Sequence, residues 1–84
     1  MANDRIVGVG PIFGEVLKRV RLKKELSQEA LAFEAGVDRT FVSQIERGLK
    51  QPTITTLIGL GMALGVSAAD LVRETEREYH RMQT

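Results

Sequence analysis

With 84 residues, the chain makes one small domain whose core is too thin to hollow out around a large substrate. It has no cysteine, which excludes a disulfide framework and a thiolate metal site, and no apolar run approaches the roughly 20 residues of a membrane span. Twelve Lys and Arg against eleven Asp and Glu give a net charge of +1, too small to argue for a polyanionic partner by itself.

The charge is unevenly placed, with nine cations against seven acids in residues 1–50 and three against four in the remainder. Asn3 and Asp4 stand where a signal peptide would have its basic start. Together these features lead us to expect a soluble, cytoplasmic binding module without a membrane partner.

Residues 1–11 read as a flexible N-terminal arm, and residues 12–84 as one domain. The stretch IVGVGP, residues 6–11, resembles the opening of a dinucleotide-binding loop, but Phe13 stands where the third glycine is needed and no βαβ unit follows. Phe13, Val16, Leu17 and Val20 recur at helical spacing and predict a first helix over about 12–25. Ser27 caps a second helix, which carries Glu29 in its first turn and stops at Gly36. Asp38 caps a third, which runs to Arg47 and stops at Gly48. Pro52 and Thr53 open a fourth, with Ile54, Leu57, Ile58, Gly61 and Leu64 expected inward and Gly65 at its end. Ser67 and Asp70 make a capping box for a fifth helix that reaches about Met82. No strand pattern follows residue 11, so the fold class is all-α.

The stretch SQEALAFEAGVDRTFVSQIERG, residues 27–48, joins its two helices so tightly that the second must project from the first at a large angle. At about 100° per residue, Arg39, Thr40, Ser43, Gln44 and Arg47 share an arc of roughly 140°, and Phe41, Val42 and Ile45 occupy the other side. The outward arc holds guanidinium, amide and hydroxyl groups and no acid, a set able to donate to base edges and phosphates in a major groove. On these residues alone, an ordinary solvated helix face fits as well. The tight glycine turn at Gly36 shifts the balance, because Ala30, Leu31, Ala35, Val37, Val42 and Ile45 lock the two helices into one rigid projecting unit.

Ser27, Gln28, Leu31, Ala32, Ala35, Gly36, Val42, Ser43, Glu46, Arg47, Gly48 and Pro52 resemble the signature of the Cro and phage-repressor type of helix-turn-helix family. The likeness extends from about Phe13 to Leu71 and takes in LGMALGVS at the end of the fourth helix. It implies a compact five-helix, lambda-repressor-like DNA-binding domain and a transcription regulator that represses or activates. Within the family, FGEVLKRVR and DRTFVSQIERG are similar to controller proteins of restriction-modification systems, while antitoxins and protein-interaction adaptors share the scaffold.

The resemblance also implies roles for single residues. Arg39, Thr40, Ser43 and Gln44 are the expected base contacts, and Gln28, Arg47 and Lys50 the expected backbone contacts on double-stranded DNA. Glu46 is expected to pair with Arg21 and so to orient the third helix. Glu34 and Asp38 are candidates for contact with RNA polymerase, beside the plainer reading of a solvated acidic face. On the fifth helix Leu71, Val72, Thr75, Tyr79 and Met82 share a stripe of about 100°, of which the domain needs only the beginning. The stripe is expected to form a homodimer over an inverted-repeat operator, with the distal Tyr79 and Met82 on the second copy, beside the alternative of longer packing within the chain. No nucleophile, base and acid constellation is present and His80 stands alone on a polar face, so we expect neither catalysis, metal nor cofactor.

Overall fold

Gly8 takes a left-handed backbone, φ 83°, and from it the first helix, α1, runs over Val9–Lys23. The computed structural model describes residues 6–83. Of the expected arm, residues 1–5 lie outside the described residues, 6–8 precede α1, and 9–11 form its first turn. The helix thus opens three residues earlier than its apolar pattern indicates. Pro11 permits this, since a proline in the first turn lacks only an N–H that the helix could not have used.

Four further helices follow: α2 (Gln28–Ala35), α3 (Arg39–Glu46), α4 (Ile54–Leu64) and α5 (Ala68–Gln83), with no strand among the described residues. Their starts are set by short side chains that satisfy otherwise unpaired amides. Ser27 Oγ accepts from the Ala30 amide at 2.9 Å, Thr53 Oγ1 from Thr56 at 3.2 Å, and Ser67 Oγ from Asp70 at 3.0 Å. Asp38 occupies the N-cap of α3 with an extended backbone, but its carboxylate makes no capping hydrogen bond. The capping box of α5 is likewise half made, because the Asp70 carboxylate turns to Arg73. Gly36 and Gly65, at φ 73° and 72°, close α2 and α4.

The core is drawn from all five helices. Val16, Leu17, Leu31, Val42, Ile45 and Leu60 are wholly buried, joined by Phe13, Ala32, Leu64 and Leu71. At about 1.5–3 kcal/mol for each large apolar side chain, these positions supply most of the drive to fold. α1 lies between α3 and α5, α2 packs on α3 and α4, and α4 meets α5.

α4 is rotated from the expected orientation. Leu57, Leu60, Gly61 and Leu64 turn inward, whereas Ile54 and Ile58 stand exposed. Backbone contact decides this: a β-carbon at Gly61 would lie 2.9 Å from the Val66 carbonyl oxygen and 3.0 Å from the Ala68 amide. The α4–α5 turn therefore folds over Gly61 and fixes which face of α4 is covered.

Candidate nucleic-acid interface

α3 has one apolar and one polar side, and the fold uses them differently. Val42 and Ile45 are fully buried, while Arg39, Thr40 and Arg47 are exposed and Ser43 and Gln44 half-buried along the outer side. The turn before it is residues 36–38, where the Val37 amide donates to the Ala32 carbonyl at 2.9 Å and fixes the exit from α2. The segment after it folds back: the Leu49 and Lys50 amides donate to the Gln44 carbonyl at 2.8 and 3.3 Å, which holds Lys50 beside the end of α3. Gly48 makes that reversal at φ 77° with Pro11 against it, where a β-carbon would lie 2.9 Å from the proline.

Glu46 is the only carboxylate within α3, and it sits at the C-terminal end, where the helix dipole disfavours an anion. Arg21 compensates from the last turn of α1. Its Nε donates to Glu46 Oε2 at 2.6 Å and its Nη2 to Oε1 at 3.0 Å, with both residues buried. Arg21 Nη1 donates to the Leu26 carbonyl at 2.9 Å, tying the α1–α2 loop to the pair. Gln28, expected only as a backbone contact, joins as a third member by donating from Nε2 to Glu46 Oε1 at 3.0 Å. The arrangement withdraws the acid of α3 from the surface and links α1, α2 and α3 at one point. A buried pair of this kind adds little net stability when whole, but removing one member leaves a charge stranded.

Around this network, Gln28, Ser43 and Arg47 line a cleft of about 410 Å³ between α1, α2 and α3. Lys18 lines it as well, a cation that sequence reasoning missed. Its signal was available, since it lies three residues before Arg21 and shares that face of α1. Glu15 is also at the cleft and opposes the approach of an anion from its own side. A second missed residue is Gly14, whose missing side chain lets α1 approach the backbone of Ile45 and Glu46.

The expected interface stripe of α5 divides. Leu71 is 1% exposed and Thr75 6%, with the Thr75 hydroxyl donating to the Leu71 carbonyl at 2.8 Å, so both belong to the interior of the single chain. Leu71 lies with Val20 towards the end of α1, and Thr75 with Val9 and Phe13 towards its start. Val72 is exposed and Tyr79 half-buried, and together with Ile6 and Val9 they line an apolar groove of about 330 Å³. Met82 is exposed but lies round the helix, beside Pro11 and Ile12. Glu34 and Asp38 are both exposed. His80 is exposed too, with Nε2 3.9 Å from a Glu76 carboxylate oxygen. The hydrogen bond from Arg81 holds the Glu78 carboxyl below its ordinary value. Among the described residues no single helix is long and apolar enough to cross a membrane.

The helix-turn-helix family model matches residues 17–71, the span that holds α2, α3 and the Arg21–Glu46 pair. The control protein C.BamHI of Bacillus amyloliquefaciens is 40% identical over 62 residues, covering 73% of this chain and 76% of that one. The control protein C.MunI of a Mycoplasma species is 36% identical over 67 residues, covering 79% and 90%. The crystal structure of the restriction-modification controller protein C.AhdI from Aeromonas hydrophila superposes with a TM-score of 0.71 at 38% identity, over 73% of this chain and 92% of that one.

Proposed function

The chain belongs to the helix-turn-helix family of DNA-binding transcription regulators, and from that premise we propose that it controls a restriction-modification operon as a homodimer on an inverted-repeat operator. The observation that carries this reading is the state of α3. Its one carboxylate is sequestered by Arg21 and Gln28, so the face left outward by Arg39, Thr40, Ser43, Gln44 and Arg47 offers no acid to repel a phosphate backbone. Similarity to C.BamHI, C.MunI and C.AhdI supports the controller assignment over an antitoxin or adaptor role.

In this reading Arg39, Thr40, Ser43 and Gln44 read bases in the major groove, and Arg47, Lys50, Gln28 and Lys18 hold the backbone. Arg39 offers a guanidinium suited to the O6 and N7 edge of guanine, and Gln44 an amide suited to the N6 and N7 edge of adenine. Val72 and Tyr79 form the dimer contact. Exposed Glu34 and Asp38 meet RNA polymerase when the protein activates, and the regulator works in the cytoplasm alongside its DNA.

Selection from random duplexes followed by footprinting tests the proposal. The expected result is a dyad-symmetric site with half-site centres about 34 Å apart, bound with a steep negative dependence of log affinity on log salt. A protected site without dyad symmetry, or binding indifferent to salt, would overturn it.

A further inference from the structure

On the side of α1 turned away from α3, the end of α1 and the start of α5 enclose a groove of about 590 Å³. Arg19 and Lys23 lie about 100° and 140° round α1 from Lys18, so the helix itself stands between this groove and the cleft beside α3. The rim is strongly cationic. α1 supplies Arg19 and Lys23, the residue after it Lys24, and α5 supplies Arg73 and Arg77, against the two acids Asp70 and Glu74, a balance of five positive charges less two negative. Half-buried Val20 and Val66 line the groove between them.

The charges are unequally satisfied. Glu74 serves both Arg77 at 2.8 Å and Arg19 at 3.7 Å, and Asp70 serves Arg73. Lys23 and Lys24 have no carboxylate partner among the described residues. The excess positive charge is therefore concentrated on two neighbouring lysines at one mouth of an apolar-walled groove. A duplex backbone fits this poorly, because its phosphates recur along the whole groove and would meet Asp70 and Glu74, whereas a short segment can confine its carboxylates to Lys23 and Lys24. A single strand fits poorly too, since no aromatic side chain lines the groove for bases to stack on.

We propose that the groove docks an acidic peptide segment of a partner protein, with an aliphatic side chain seated against Val20 and Val66 and flanking carboxylates on Lys23 and Lys24. Such a contact is small and its ion pairs are exposed, so binding is weak and sensitive to salt. It leaves the α3 face free, and the partner and operator DNA bind together.

The test uses the full chain and a synthetic acidic pentapeptide with a central leucine, followed by amide chemical shifts and fluorescence anisotropy. Saturable binding is expected, with shifts centred on Val20, Lys23 and Val66. The Lys23→Ala/Lys24→Ala double variant, altered only at exposed positions, should bind the peptide about three- to tenfold more weakly and the operator unchanged. A peptide with serine in place of leucine should bind more weakly than the parent. The proposal is overturned if binding does not saturate, if the double variant or the serine peptide binds as well as the parent, or if non-operator duplex DNA displaces the peptide from the groove.

Discussion

A β-carbon on Gly14 would lie 2.6 Å from the carbonyl oxygen of Glu46, closer than side-chain carbon and backbone oxygen approach in folded proteins. α1 and α3 are therefore in backbone contact at Glu46, the residue whose side chain reaches Arg21 about two turns further along α1. In an unconstrained helix, Gly to Ala gains about 1 kcal/mol. Here Gly14→Ala should destabilise by about 1–3 kcal/mol, because backbone cannot yield as a flexible side chain can. Operator affinity should fall with it, as the end of α3 is pushed outward. Denaturant unfolding and operator titration check both, and a stabilised variant would show that the helices can separate freely.

Arg21→Ala or Glu46→Ala strands a buried charge, and each should cost about 3 kcal/mol. The double variant should lose less than the sum, since neither charge is then left unpaired. Strict additivity in the unfolding free energies would contradict the shared network.

Glu25 is the one non-glycine residue with positive φ among the described residues, at 61°, and it closes α1 through the Leu26 amide on the Arg21 carbonyl at 3.1 Å. Glu25→Gly should therefore raise stability, by about 0.5–1 kcal/mol once the added freedom of the unfolded chain is counted. Operator binding should be unaltered. A lower midpoint in thermal melting would count against the strain.

For the proposed dimer, Val72 is the position to alter, because it is exposed in the single chain whereas Leu71 and Thr75 hold the core. Val72→Asp should give a folded monomer by analytical ultracentrifugation. Its operator affinity should fall on the order of a hundredfold, since the two half-sites then bind independently. An unchanged dimer would place the contact elsewhere.

Reading and gripping should separate along the interface. Arg39→Ala and Gln44→Ala should each cost about 1–3 kcal/mol on the preferred operator and little on random DNA. Lys18→Ala and Lys50→Ala should weaken all sequences about equally and lower the salt slope by about 1 for each contact. Gln28→Ala is less clean, because it also removes a hydrogen bond from Glu46. If the first pair weakens specific and random DNA alike, α3 grips without reading.

Ser27, Thr53, Gly36 and Gly65 mark helix ends in the sequence as they do in the fold, and the wheel of residues 39–47 sorts buried Val42 and Ile45 from exposed Arg39 and Arg47. Capping and amphipathic sidedness depend on groups one or two turns apart, so the chain carries them wherever it folds. The Arg21–Glu46 pair spans 25 positions; the wheel places Glu46 at the border of the buried arc, but that its partner is Arg21 is legible only through family resemblance. The rotation of α4, the division of the α5 stripe and the approach of Gly14 to α3 were decided by the tertiary structure alone. Each depends on where a distant element lies: the α4–α5 turn over Gly61, α1 beside Leu71 and Thr75, the carbonyls of Ile45 and Glu46 over Gly14. A sequence states which side of a helix is apolar, but the shape of its neighbours determines how much of that side is covered.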